Sequence, residues 1–334
     1  MQTQNKNQDI ILKAEFKDIL GQEKVKRDLK SALLVDRNTI IIGPPGVGKT
    51  TLVKNLARLL PEIEVMDCGF NCLKEQPVCP SCLSKKTIST KKLKGEERFV
   101  RIQGSPDLTA EDLIGDIDPI KALKYGPLSL EAFTPGKIFK ANNGILFFDE
   151  INRCSEKLQN ALLQVLAEKR VTIGSYDLDL EADFYFIGTM NPEDTSTEKL
   201  SDVFLDRFDL ITMDHPETQV IEEKIVDLKA SNIIPISDNL KTHIVNFIRN
   251  LRENPDIERK PSVRATLGIV DRSKANALLQ GRKEVSLKDI QDVIVSVLSH
   301  RMSLKSKLKY IRNIDEFVQD EFYSYCTDNN VQDG

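Results

Sequence analysis

The stretch Gly43-Pro44-Pro45-Gly46-Val47-Gly48-Lys49-Thr50 decides the fold. It fits G-x-x-x-x-G-K-[ST] without deviation. It stands between a short β-branched run at residues 38–42 and a helical pattern from about 50 to 60, which Pro61 ends. Strand, glycine loop, then helix is the context a phosphate-cradling loop requires. The glycines let backbone N–H groups turn inward around phosphate oxygens, and the helix N-terminus adds partial positive charge. Gly43, Pro44, Pro45, Gly46, Val47, Gly48, Lys49, Thr50 and the following Thr51 are the expected nucleotide-binding residues. Lys49 is placed to reach the β- and γ-phosphates, and the Thr50 hydroxyl to ligate Mg²⁺.

About 100 residues further on, Ile145-Leu146-Phe147-Phe148-Asp149-Glu150 reads as an apolar strand ending in two acids. Asp149 is expected near the Mg²⁺, and Glu150 is expected to polarise the attacking water. Further strand candidates are residues 99–103 and 184–189. A helix near 156–168 carries Leu158, Leu162, Val165 and Leu166 on one face, which reads as core packing. Strands alternating with helices imply an α/β fold, a P-loop NTPase with a parallel sheet flanked by helices. From about 217 the pattern is helical to the end, an all-α domain with residues 254–261 as a polar break. The expected division is residues 1–216 for the α/β domain and 217–334 for the all-α domain, which the family resemblance given below implies is a lid. Within the first, residues 64–98 form a cysteine-bearing insertion, residues 105–140 a turn-rich insert with one helix, and residues 170–179 a hairpin. Residues 1–17 read as a polar lead-in and 327–334 as a frayed end.

The composition agrees with this reading and narrows the function. Of 334 residues, 40% are hydrophobic and 29% charged, enough to bury a core. The net charge is −4, which argues against nucleic acid as the main partner. No apolar run reaches the ~18–20 residues of a bilayer span, and residues 1–8 lack a signal-peptide core. A cytoplasmic protein without a membrane role is expected. The three histidines, His215, His243 and His300, lie far apart and give no support to a histidine-centred triad or metal site.

Of six cysteines, Cys68, Cys72, Cys79 and Cys82 form C-x₃-C-x₆-C-x₂-C. A cytoplasmic protein does not ordinarily keep disulfides, so metal binding outranks bridging. Four thiolates suit tetrahedral Zn²⁺, and the same ligands suit an iron–sulfur cluster. Spacing alone leaves zinc, a cluster, or no metal open. Cys154 and Cys326 read as structural or free thiols.

Taken together these residues resemble the AAA+ ATPases, and most closely their MoxR and magnesium-chelatase I-subunit branch. The likeness runs over nearly the whole chain. Residues 18–23 resemble that branch's entry motif. Pro106-Asp107-Leu108 with Asp112-Leu113-Ile114-Gly115-Asp116 resembles its helix-2 insert. Thr134-Pro135-Gly136 through Asn142-Asn143-Gly144 resembles its approach to the acidic strand. Residues 51–61 look chelatase-like, whereas Glu150-Ile151-Asn152-Arg153 and Val171-Thr172-Ile173-Gly174 look more MoxR-like.

The resemblance assigns further roles. Asn191, in Thr189-Met190-Asn191-Pro192, matches sensor 1, which helps orient the lytic water. Arg207, in Leu205-Asp206-Arg207-Phe208, matches an arginine finger reaching the neighbouring subunit's site. Such fingers are worth ~10³–10⁵ in rate. Arg264, in Pro261-Ser262-Val263-Arg264-Ala265, matches sensor 2 of the lid, and Arg153 is a second intersubunit candidate. The branch implies ATP hydrolysis with Mg²⁺ in a ring, expected to be a hexamer. The leading expectation is a MoxR-type remodelling or cofactor-insertion ATPase working with a von Willebrand A-domain protein. The alternative is the ATPase subunit of a magnesium or related metal chelatase, acting with other chelatase subunits on a tetrapyrrole. A DNA-processing AAA+ motor ranks third.

Overall fold

The computed structural model describes residues 2–84, 88–126, 129–173, 178–192 and 200–331. The chain divides into two compact units. The first holds residues 1–19, 23–43 and 48–213; the second holds 20–22, 44–47 and 214–334.

The first unit is built on five strands: β1 (Thr39–Ile42), β2 (Phe99–Gln103), β3 (Ile145–Asp149), β4 (Tyr185–Met190) and β5 (Asp209–Thr212). All their pairings are parallel, in the order β5-β1-β4-β3-β2. Apolar residues such as Ile40, Ile41, Ile145, Leu146, Phe147 and Phe148 are fully buried, because helices cover both faces of a parallel sheet. The inserted order places β4 between β1 and β3. The phosphate loop, which leaves β1, and the acids, which end β3, therefore lie at the same carboxyl edge. That edge is where open α/β sheets hold their ligands.

Helix Lys49–Leu59 follows the phosphate loop and buries Leu52, Val53 and Leu56. Helix Glu156–Glu168 buries Leu158, Leu162, Val165 and Leu166, the expected core stripe. Three antiparallel hairpins decorate the sheet: Ile63–Met66 with Thr90–Leu93, Gly115–Ile117 with Phe133–Pro135, and Arg170–Ile173 with Leu178–Glu181. Residues 85–87, 127–128 and 174–177, which the insert and hairpin readings include, lie outside the described residues.

Three local expectations differ from the structure. The lead-in contains a helix, Gln2–Lys13; its Ile11 and the following Ala14 and Phe16 are buried. Its Gln/Asn/Lys-rich sequence carries little apolar periodicity, so packing rather than pattern fixes it. The described residues of the 105–140 insert hold three short α-helices, Ala110–Ile114, Pro119–Tyr125 and Lys137–Lys140, and the 3₁₀ turn Leu130–Ala132, besides the hairpin. Thr109 and Asp118 cap the first two through side-chain acceptors. At the C-terminus, helix Ile314–Asp328 includes Thr327, and Val331 is buried, so the described tail is docked rather than frayed.

The second unit is a bundle of Gln219–Lys229, Asp238–Glu253, Val263–Leu279, Leu287–Leu298 and Ile314–Asp328. Its core includes Phe247, Ile269, Leu298, Phe317 and Phe322. The polar break holds a short strand, Ile257–Arg259, paired antiparallel with Ser303–Leu304. Ile257 is buried while Glu258 and Arg259 are exposed, a pattern too short to stand out in the sequence.

Candidate active site

The site is laid down by backbone first. Gly43 follows β1 directly, under the carbonyl of Met213: a Cβ there would lie 1.9 Å from that oxygen, so only glycine fits. Gly48 takes φ +105° and caps helix Lys49–Leu59. This left-handed residue turns the chain so that Lys49 and Thr50 open the helix at the sheet's carboxyl edge. Lys49 Nζ donates to Gly43 O at 2.6 Å, folding the ammonium back across the loop mouth.

Asp149 ends β3 and is nearly buried, at 9% exposure. Its Oδ1 accepts from Thr189 Oγ1 at 2.6 Å. Its Oδ2 accepts from Thr50 Oγ1 at 3.5 Å and from Arg101 Nη2 at 2.6 Å. A carboxylate facing a hydroxyl at this spacing is an oxygen pair suited to a hard cation. Thr50 and Asp149 thus fit the Mg²⁺ that accompanies ATP.

Glu150 sits in the left-handed region at φ +56°, a conformation that costs ~1–3 kcal/mol for a residue with a side chain. Two contacts hold it there. Its N–H donates to Thr189 Oγ1 at 3.0 Å, and its carbonyl lies so close to Gly104 that a Cβ on Gly104 would come within 2.1 Å of it. Its carboxylate is held from two sides: Gln103 Nε2 donates to Oε2 at 2.9 Å, and Arg153 Nε approaches Oε2 at 3.3 Å.

Of the residues singled out from the sequence, Gly43, Gly48, Lys49, Thr50, Asp149 and Glu150 are thus gathered at one edge. Thr51 follows Thr50 in the same helix, and its carbonyl accepts from Asn55 Nδ2 at 3.0 Å. Asn191 follows β4 directly, and its carbonyl accepts from Asn152 Nδ2 at 3.3 Å. Arg207 stands exposed after the short helix Asp202–Leu205, with Nη1 donating to Val203 O at 2.7 Å. The neighbouring Asp209 is paired with Arg37. Pro44–Val47 group with the second unit. Within that unit Gly46 has φ +83°, and a Cβ on it would meet Ser262 Oγ at 2.5 Å and Arg264 Cγ at 3.1 Å. Arg264 itself is exposed in the first turn of helix Val263–Leu279.

Sequence reasoning gave no role to Thr189, Arg101 or Gln103, and did not pair Arg153 with Glu150. Arg101 and Gln103 alternate as exposed positions on β2, and Gln103 is in register with Asp149. Polar residues two apart on a strand beside the acidic strand were the available signal.

The four cysteines of the insertion converge. Their sulfurs all lie within 4.8 Å of one another; Cys72, Cys79 and Cys82 are buried and Cys68 is half-buried. Among the described residues all six cysteines are free. Cys79 caps the helix Pro80–Leu83, and its sulfur accepts from Cys82 N at 3.4 Å. Hydrogen bonds from Cys72 and Cys79 hold the Cys68 thiol far below its ordinary range. The bonds with Cys68 and Cys72 push Cys79 far up, and burial raises Cys82 to about 12.

The comparisons with known proteins follow this geometry. Residues 15–93 match the family model of magnesium chelatase, subunit ChlI. Residues 72–210 match that of the ATPase family associated with various cellular activities, and residues 249–321 that of the AAA lid domain. A magnesium-chelatase subunit ChlI homolog of Methanocaldococcus jannaschii is 30% identical over 346 residues, covering 91% of this chain and 91% of that protein. The magnesium-chelatase subunit ChlI of Synechocystis is 31% identical over 324 residues, covering 86% of this chain and 87% of that protein. Among solved structures, NtrX from Brucella abortus in complex with ADP shares the fold. It has a TM-score of 0.51 and 13% identity, over 96% of this chain and 69% of that one. No helix among the described residues is long and apolar enough to cross a membrane. A parallel sheet with its phosphate loop and acidic strand on one edge, a helical lid and near full-length kinship together place the chain among the AAA+ ATPases, as a member of the magnesium-chelatase ChlI family.

Proposed function

We propose that this ATPase is the motor subunit of a metal-chelatase-type machine, driving insertion of a metal ion into a tetrapyrrole held by another subunit. The observation that carries this reading is near full-length kinship to ChlI proteins, joined to a phosphate loop and acidic pair gathered at one edge. The MoxR-type reading with a von Willebrand A-domain partner, ranked first from the sequence, draws no support from the comparisons and gives way to the chelatase reading. The DNA-processing reading ranks below both, because the net charge is −4.

Lys49 binds the terminal phosphates, releasing Gly43 O as it does so. Thr50 and Asp149 would hold Mg²⁺, which neutralises phosphate charge when bound with ATP. Glu150 accepts a proton from the attacking water. Asn191 orients that water, and Gln103 and Arg153 hold Glu150 until the substrate arrives. Arg207 of an adjoining copy neutralises charge at the transition state, so the working form is a ring, taken as a hexamer, and Arg264 carries the loss of γ-phosphate to the lid. The four cysteines hold a metal, with zinc and an iron–sulfur cluster the two chemistries their thiolates fit.

The test is reconstitution with a porphyrin-binding chelatase subunit, following metal insertion by porphyrin fluorescence. ATP-dependent insertion that disappears with Lys49→Ala is the expected result. ATP turnover that continues with no insertion, and no response to the porphyrin-bearing subunit, would overturn the reading.

A further inference from the structure

Among the described residues of the loop carried by the hairpin Ile63–Met66/Thr90–Leu93, cysteines are the only buried apolar side chains. What lies at its centre is sulfur: Cys68, Cys72, Cys79 and Cys82, with Met66, Phe70, Val78 and Ile88 packed around them. Small modules of this kind are ordinarily stapled by disulfides or a metal. Disulfides would join the sulfurs in two pairs at about 2.05 Å. Here all four approach one another and none is bonded.

The spacing also separates the two metal chemistries. Around a single tetrahedral ion with Zn–S bonds of ~2.3 Å, the sulfurs stand about 3.8 Å apart. A multi-iron cluster puts its thiolates on different irons, radiating outward, and would spread the sulfurs further. A ceiling of 4.8 Å for every pair matches one ion. Two backbone N–H groups already point at ligand sulfurs: Val78 N at Cys72 Sγ and Cys82 N at Cys79 Sγ, each at 3.4 Å. Such bonds stabilise thiolate and orient it, as outer-shell partners of metal ligands do.

The ligand loop is tied to the catalytic strand's approach. Gly69 at φ +83° lies against Pro135, where a Cβ would meet Cγ at 3.0 Å, and Asn71 also has positive φ. Between these turns Phe70 packs on Phe139, with ring centroids 5.0 Å apart. Phe70 O accepts from Asn142 Nδ2, and Asn71 O from Asn143 Nδ2, each at 3.0 Å; Asn71 Nδ2 donates to Lys140 O at 2.7 Å. Residues 140–143 run directly into β3, which ends in Asp149.

We propose that Cys68, Cys72, Cys79 and Cys82 bind one Zn²⁺ as a mononuclear tetrathiolate, and that this ion clamps the 68–72 loop onto residues 140–143. The clamp refines the cysteine reading above and is independent of the chelatase assignment, because metal content and local exchange are read without substrate.

The test uses the full chain, untagged, expressed in defined medium. Elemental analysis is expected to give about one zinc per chain, and the double variant Cys79→Ser/Cys82→Ser under ~0.2. Cobalt-loaded wild-type protein is expected to show the visible bands of tetrahedral thiolate-bound Co²⁺, a readout that does not depend on the variant folding. Stripping zinc from the wild type should speed amide exchange at residues 68–72 and 140–143. Zinc below ~0.2 per chain, or iron with sulfide in its place, overturns the metal assignment. Unchanged exchange at 140–143 after zinc removal overturns the clamp.

Discussion

Thr189 joins two groups that the sheet's own hydrogen bonds leave apart. Its hydroxyl donates to Asp149 and accepts from the Glu150 N–H, fixing both acids from a neighbouring strand. Thr189→Val keeps the shape and removes the hydroxyl, leaving a buried carboxylate oxygen and an amide unpaired. A stability loss of about 1–3 kcal/mol is expected in urea denaturation. ATP turnover should fall at least about tenfold with nucleotide affinity little changed, and Thr189→Ser should restore it. Turnover at the wild-type level in the valine variant would remove Thr189 from the site. The residues gathered around it were unequally legible. Lys49, Thr50, Asp149 and Glu150 sit in motifs whose spacing encodes their meeting. Arg101 and Gln103 sit in no motif and read as ordinary surface residues until β2 and β3 are brought into register; Arg153 reads as an intersubunit candidate, and only the fold pairs it with Glu150.

Among the elements, three helices of the second unit share one buried ion pair. Glu222 is fully buried and accepts from Arg252 at 2.6 and 2.7 Å and from Thr266 at 2.7 Å, while Arg252 Nε donates to Pro261 O. These bonds cross Gln219–Lys229, Asp238–Glu253 and Val263–Leu279. His215 lies beside this network with Nδ1 buried and unpaired. Burial, assisted by the Arg252 charge, pushes its imidazole down from 6.5 to about 4. The folded unit therefore favours neutral His215. Its contribution is intact above about pH 6.5 and is lost as pH falls towards 4, because the unfolded chain then binds a proton the folded one refuses. Between pH 7 and 4.5, the unfolding free energy from urea denaturation should fall more for wild type than for His215→Gln, by on the order of 2 kcal/mol. Equal losses in both proteins would contradict this. Regular elements with strong apolar runs, such as β1, β3 and helix Glu156–Glu168, could be read in the sequence. Helix Gln2–Lys13 and strand Ile257–Arg259 could not, because tertiary packing decides them and their local patterns are weak or too short.

At the scale of the whole molecule, a parallel sheet, its phosphate edge and a helical lid were legible because the two phosphate-handling motifs constrain topology as well as chemistry. What the machine acts on is not written in those motifs. The proposal for it rests on kinship to ChlI proteins over 91% of the chain. The central proposal is that ATP is cleaved where two copies meet, with Lys49, Asp149 and Glu150 from one and Arg207 from the next. Glu150→Gln and Arg207→Ala are each expected to abolish turnover alone, since each spoils every interface of a ring. Mixing the two inactive proteins under exchanging conditions is the most direct measurement. In a random ring about one interface in four pairs an intact acidic site with an intact arginine, so ATPase activity should return to a substantial fraction of wild type. A mixture as inactive as its components, with exchange of subunits demonstrated, would contradict the shared site.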